Sequence, residues 1–135
     1  MTTKINSPIL IEETENYGSI SGYAIGTHKE QIQTWLTRNY IYDKTIVDKI
    51  RSVFHTIAFL DNINVDEDKR GNGYGNSLIE FFIEEATGYG AQAVVLLCDA
   101  LESQLEGFNL ALWYEGYGFE KILDTDSGPL MILKF

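Results

Sequence analysis

The sequence predicts an α/β fold in which a mixed central sheet is flanked by helices, and three observations predict it. Thr56–Val65 is rich in apolar and β-branched residues, as strands are. A glycine loop and then apolar residues at helical spacing follow this stretch. The near-continuous apolar run over residues 91–98 is typical of a strand buried on both faces. Together these parts form a βαβ unit, whose two strands should be parallel.

The other elements follow from the same periodicities. Thr27 and Glu30 have the spacing of a capping box, so a helix with Ile32, Trp35 and Leu36 should begin there. The sequence shows no clear strand pair between the first helices and Thr56. We expect strands at 8–12, 19–27, 56–65, 91–98, 119–123 and 129–135, helices after 27 and at 43–54, 76–87 and 108–117, and an acidic, irregular segment at 99–107.

Composition limits the classes of partner. The chain has 135 residues, of which 44% are hydrophobic, and we expect one domain over residues 1–135 with a single core. Its formal net charge is -10, from 20 acidic and 10 basic residues. This charge argues against nucleic acid as a partner, because affinity for a phosphate backbone comes from Lys and Arg. A cationic substrate is compatible with it, although solubility alone would also explain it.

Cysteine content and hydropathy indicate the compartment. Cys98 is the only cysteine, so no internal disulfide can form and a reducing compartment is expected. We see no signal peptide, and no apolar stretch approaches the ~20 residues that span a bilayer. We therefore expect a cytoplasmic protein with no membrane partner. A homodimer is one option for its oligomeric state, and no cluster of residues has metal-ligand spacing.

The glycine loop carries the first functional signal. Glycines at 71, 73 and 75 lie between the predicted strand and helix. Glycines let backbone N–H groups turn inward and a helix N-terminus carries partial positive charge, so a phosphate site is predicted. A P-loop would need Lys-Ser or Lys-Thr next, and a dinucleotide fingerprint would need glycine at Asn76; neither is present. The alternative is a strand–helix turn that is merely tight.

Two motifs in order resemble the GNAT superfamily of N-acetyltransferases. Arg70-Gly71-Asn72-Gly73-Tyr74-Gly75 matches the R-x-x-G-x-G of the family's acetyl-CoA loop, and the segment from Tyr114 to Phe119 looks like its L-Y-x-x-x-G-F. The resemblance covers residues 56–135. Two departures are that Gly107 and Leu110 stand where the family often has Asn and Ala, with Asn109 and Ala111 displaced.

The resemblance implies acetyl-CoA as co-substrate. It implies that the loop's N–H groups hold the pyrophosphate, with charge added by Arg70. The pantetheine arm would pair with main chain near Ile63 and Val65, which requires the strand to splay from its neighbour. The cofactor-binding residues expected on this basis are Ile63, Val65, Arg70, Gly71, Asn72, Gly73, Tyr74, Gly75, Asn109 and Tyr114.

Two residues are candidates for the chemistry. Tyr114 is our choice of general acid, because a phenol can protonate a leaving thiolate; the alternative is a buried core tyrosine, with Tyr117 as second choice. Asp61 is the candidate general base, and strict alternation along the strand would place it on the same face as Phe59, Ile63 and Val65. The alternatives are a carboxylate without a catalytic role, a reaction that needs no base, or His55 as the base.

These features predict an acetyl-CoA-dependent N-acetyltransferase that acts by direct transfer. The acceptor would be a primary amine: a small amine, a polyamine, or a protein lysine or N-terminus. The alternative from another class is a non-catalytic GNAT-like module that binds CoA or contacts proteins. A donor with a longer acyl chain also remains open.

Overall fold

The structure, a computed structural model, describes residues 7–69, 71–98 and 110–135. Within these ranges the strands are β1 Ile9–Glu15, β2 Gly18–Gly26, β3 Thr56–Val65, β4 Ala93–Leu97, β5 Glu120–Thr125 and β6 Gly128–Lys134. The helices are α1 Lys29–Arg38, α2 Lys44–Val53, α3 Tyr74–Gly88 and α4 Leu110–Glu115. No helix in the described part of the chain is both long and apolar enough to cross a bilayer.

The described strands form one mixed sheet in the order β1-β2-β3-β4-β6-β5. Strands β3 and β4 are parallel, as the βαβ unit predicted, and the other neighbours are antiparallel. The strand pair that the sequence did not show before Thr56 is the β1–β2 hairpin. It lies ahead of the two helices, and β2 then pairs with β3.

Apolar side chains cover both faces of the sheet. On one face, α3 and α4 pack over β-strand residues such as Ile20 and Leu60. On the other face, α1 and α2 pack over Ile57 and Phe59. Adjacent residues of β3 therefore belong to opposite cores, as expected of a strand that is buried on both sides.

The predicted capping box at Thr27 is wrong. Helix α1 has His28 at its N-cap and no side-chain cap bond. The Thr27 hydroxyl instead donates to the carbonyl of Phe54 at 2.8 Å, and the Thr27 N–H donates to that of His55 at 3.1 Å. Because Thr27 is fully buried, its polar groups need partners nearby, and these lie where the chain enters β3.

A β-bulge at Asp61 changes the alternation along β3. Ser21 opposes Asn62 and Gly22 opposes Leu60, so Asp61 is the extra residue. A Cβ at Gly22 would lie 2.1 Å from the Phe59 oxygen and 2.7 Å from the Phe82 ring, so only glycine fits this close approach. Beyond the bulge, Ile63 and Val65 pack with the α3 side. The prediction that Asp61 shares their face is therefore wrong, whereas its shared face with Phe59 agrees with its contact to Trp35.

Candidate active site

Strand β3 extends beyond its parallel ladder with β4. That ladder pairs residues 58–60 with residues 94–96. Strand β3 runs on to Val65, where it remains in register with Gly18 of β2. Residues 61–65 thus project past the β3–β4 ladder toward the glycine loop, and this separation is the one that the expected pantetheine site requires.

The glycine loop leads directly into α3. Gly71 and Gly73 have φ of 84° and 78°, a left-handed conformation that glycine adopts without strain. Gly73 is the N-cap of α3 and provides no side-chain cap. Added Cβ atoms at Gly71 and Gly73 would meet nothing within 4 Å among the described residues. Uncapped N–H groups at the start of a helix, bordered by open space, fit an anionic group such as a phosphate.

Three other segments meet at this loop. Tyr74, the first residue of α3, stacks on Tyr17 of the β1–β2 turn, with ring centroids 4.0 Å apart and planes 10° apart. The N–H of Asp66 donates to the Tyr17 carbonyl at 2.7 Å. A Cβ at Gly75 would lie 3.3 Å from the Trp113 ring of α4 and 3.8 Å from a Val65 methyl. The structure therefore brings together the predicted residues Val65, Tyr74 and Gly75.

Tyr114 is a buried residue on the α3 side of the sheet, with 4% of its surface exposed. Its ring lies 5.1 Å from the Trp113 ring and 5.5 Å from the Phe119 ring. Tyr117 lies half-buried beside them, with its ring edge toward Trp113. Desolvation and the Glu80 carboxylate raise the pKa of Tyr117, which makes Tyr117 a poorer proton donor.

Asp61 lies on the opposite face of the sheet, where α1 holds it. The Trp35 indole N–H donates to Oδ1 of Asp61 at 2.6 Å. Nη2 of Arg38 lies 3.5 Å from Oδ2. Trp35 itself stacks on Phe59 at 4.1 Å with planes 7° apart, so its indole N–H has a fixed direction. Neither Trp35 nor Arg38 carries a sequence signal for this contact, because they precede Asp61 by 26 and 23 residues.

A cleft of about 450 Å³ adjoins this carboxylate. Its apolar lining comes from Tyr23, Ile25, Trp35 and Phe59, and its charged lining from Glu30 and Arg38. Trp35 and Arg38 are the two residues that contact Asp61. The cleft and the carboxylate therefore form one continuous region on the α1 face.

The remaining predicted residues are less informative. Arg70 and Asn109 lie outside the described residues. The Asn72 side chain donates to the Lys69 carbonyl at 3.0 Å and so supports the turn. His55 precedes β3 and lies roughly 30 Å along the strand from Val65, which removes it as a candidate base. Within residues 7–69, 71–98 and 110–135, no group of His, Cys, Asp and Glu could hold a metal ion.

Comparison with known proteins supports the assignment of the fold. The model of the acetyltransferase (GNAT) family matches residues 6–108. Among curated proteins, none matches the chain significantly.

Three solved structures illustrate the similarity. An agmatine N-acetyltransferase mutant, S171A, has a TM-score of 0.63 at 16% identity, over 88% of this chain and 71% of its own. The PaiA N-acetyltransferase from Thermoplasma acidophilum, solved with coenzyme A, has a TM-score of 0.55 at 14% identity, over 88% of this chain and 54% of its own. The anti-CRISPR protein AcrVA5 has a TM-score of 0.53 at 16% identity, over 93% of this chain and 98% of its own. The match to the family model and this shared fold together lead to one conclusion: the chain belongs to the GNAT acetyltransferase family.

Proposed function

We propose that this protein transfers the acetyl group of acetyl-CoA directly to a primary amine. Acetyl-CoA is the acetyl donor of the family. The observation that carries the proposal is the junction of the extended end of β3 with the uncapped start of α3. Such a junction offers main-chain groups both to a phosphate and to an extended arm.

For donor binding, we assign the backbone N–H groups of residues 71–75 to the pyrophosphate, with Arg70 adding positive charge. The main chain near Ile63 and Val65 would hold the pantetheine arm, and Asn109 and Tyr114 would also contact the donor. When bound, acetyl-CoA supplies an activated thioester. Gly73 supports this assignment, because its conformation leaves the first turn of α3 open.

For the chemistry, Asp61 takes one proton from the acceptor ammonium, so that the neutral nitrogen can bond to the acetyl carbon. As the carbon–sulfur bond breaks, Tyr114 donates a proton to the thiolate and regains one from solvent. The nitrogen loses a second proton as the amide forms. One ammonium and one thioester thus give one amide, one thiol and one released proton.

Two features support these roles. Cys98 is buried, with 1% of its surface exposed, which favours direct transfer over a route through an acylated cysteine. The Trp35 indole N–H stabilises the ionised form of Asp61 by a charge-assisted hydrogen bond. A carboxylate held in this way can attract an ammonium group and accept its proton.

The test is calorimetric titration of CoA and acetyl-CoA into the native chain and into the Gly73→Asp and Gly73→Asn variants. Asn and Asp both tolerate the left-handed conformation at this position and have similar shapes, so the pair differs mainly in charge. We expect the native chain and Gly73→Asn to bind, and Gly73→Asp to bind on the order of tenfold more weakly or not at all.

A free-thiol assay with a panel of amines would follow. Equal losses in both Gly73 variants would argue against a phosphate site in the loop. No CoA binding by the native chain would overturn the enzymatic proposal and favour a protein-interaction module. Faster turnover with a longer acyl-CoA would correct the donor.

A further inference from the structure

The two carboxylate oxygens of Asp61 are held very differently. Oδ1 accepts a short bond, 2.6 Å, from the buried Trp35. Oδ2 faces Arg38 at 3.5 Å, and the Arg38 side chain is 58% exposed. A long ion pair to an exposed arginine is weak. Oδ2 can therefore exchange Arg38 for a ligand while the bond from Trp35 keeps the carboxylate in place.

The same ion pair borders an apolar cavity. Residues 31, 34, 35 and 38 of α1 line the cleft at helical spacing, so Trp35 and Arg38 are presented on one face of the helix. Tyr23 and Phe59, opposite each other on β2 and β3, add aromatic surface. A ligand in this cleft would contact rings with its body and meet a paired positive and negative charge at one side.

We propose that the acceptor is an α-amino acid with an apolar, aromatic or branched side chain. Its ammonium would bind Oδ2 of Asp61, its carboxylate would bind Arg38, and its side chain would occupy the cleft. This inference rests on the proposed function only in that the amine bound by Asp61 is taken to be the acetyl acceptor.

Charge bookkeeping distinguishes this ligand from simpler ones. A plain amine would displace Arg38 from Asp61 and leave two positive charges side by side. A plain carboxylate would compete with Asp61 for Arg38 and leave two negative charges side by side. A zwitterion replaces one weak pair by two. This local balance outweighs the net charge of -10, which by itself would suggest a cationic acceptor.

Glu30 gives the strongest competing expectation. It also lines the cleft, and with Asp61 it would suit a molecule with two amino groups. The two readings differ in what Arg38 does, since a polyamine gains from its removal and an amino acid loses.

The experiment compares four probes by calorimetry, titrated into the full chain alone and into the chain saturated with CoA. L-Phenylalanine has the complete set of groups, phenethylamine lacks the carboxylate, 3-phenylpropionate lacks the amine, and agmatine has a second cation. We expect L-phenylalanine to bind about tenfold more tightly than each of the others. In Arg38→Gln, its advantage over phenethylamine should disappear. Lys121→Gln, which breaks the exposed Lys121–Asp124 pair on β5, should preserve that advantage.

The outcomes separate this inference from the proposed function, because binding is measured without acetyl transfer. Phenethylamine or agmatine binding as tightly as L-phenylalanine would overturn the inference while leaving the enzyme in place. So would an unchanged preference in Arg38→Gln, or no binding of L-phenylalanine in either state. Binding of L-phenylalanine that depends on Arg38, with no acetylation of any amine, would sustain the cleft assignment and overturn the proposed function.

Discussion

The indole N–H of Trp35 donates to the carboxylate of Asp61 at 2.6 Å, which joins the last turns of α1 to the bulge of β3. Trp35 is 4% exposed, so its N–H has no easy alternative in solvent. This bond gives the candidate base a fixed orientation on the face of the sheet that carries the cleft.

Asp61→Ala and Asp61→Asn should therefore differ in stability. The alanine variant leaves the buried Trp35 N–H without its acceptor, which costs about 1–3 kcal/mol of the free energy of unfolding. The asparagine variant keeps an oxygen in place and should unfold near the native temperature. Both should lose roughly 10²–10⁴-fold in kcat, since both lack the base. Thermal denaturation and a free-thiol assay measure the two effects, and an active Asp61→Asn enzyme would show that Asp61 is not the base.

Tyr17 should act as a positioning residue for the glycine loop. Its stack on Tyr74, 4.0 Å between centroids, is worth about 0.5–1.5 kcal/mol, so Tyr17→Ala should raise the Kd for CoA roughly 2- to 10-fold. Tyr17→Phe retains the ring and should restore native binding. We also expect the KM for acetyl-CoA to rise in Tyr17→Ala with kcat unchanged. Equal effects of both variants would point to the hydroxyl instead of the stack.

Tyr114→Phe tests the proposed acid with little disturbance of packing. The ring keeps its neighbours Trp113 and Phe119, so the melting temperature should stay close to native. Loss of the proton donor should lower kcat by about 10²-fold or more. Tyr117→Phe is the matched control, because its raised pKa makes it a poor donor. A large loss in Tyr117→Phe with a normal Tyr114→Phe would reverse the two assignments.

Asp43 should give a pH-dependent contribution to stability. Its Oδ1 accepts from the Thr45 hydroxyl and the Thr45 N–H, and these bonds lower the pKa of Asp43. A carboxyl group whose pKa is lower in the folded state stabilises that state above its unfolded pKa. This stabilisation is lost as the pH falls through the lowered value.

Asp43→Ala should thus have a lower melting temperature at neutral pH, and its difference from the native chain should shrink in acid. Asp43→Asn can still cap α2 and should be less affected. Asp48→Ala, in the interior of the same helix, is the control. A difference that persists unchanged at low pH would exclude the carboxylate as its source.

Local patterns in the sequence predicted the parts of the fold that depend on local patterns. Thr56–Val65, the glycine loop and the following apolar helix identified the βαβ unit, because strand and helix periodicities are set by neighbours in sequence. The glycine at 73 could be placed at the start of α3 for the same reason. The segment from Tyr114 to Phe119 was recognised as a short motif, and the structure shows Tyr114 pointing into the core as expected.

Only the tertiary structure decided how the two faces of the site are furnished. The bulge at Asp61 arises from pairing with β2 opposite Gly22, and it reversed the predicted face of Ile63 and Val65. Thr27 bonds across the fold instead of capping α1 for a similar reason, since a buried hydroxyl takes the partner that packing provides. The sequence by itself determined the anion-binding loop and the family. The contacts that orient Asp61 required residues more than 20 positions apart to meet, and no periodicity in the chain encodes such a meeting.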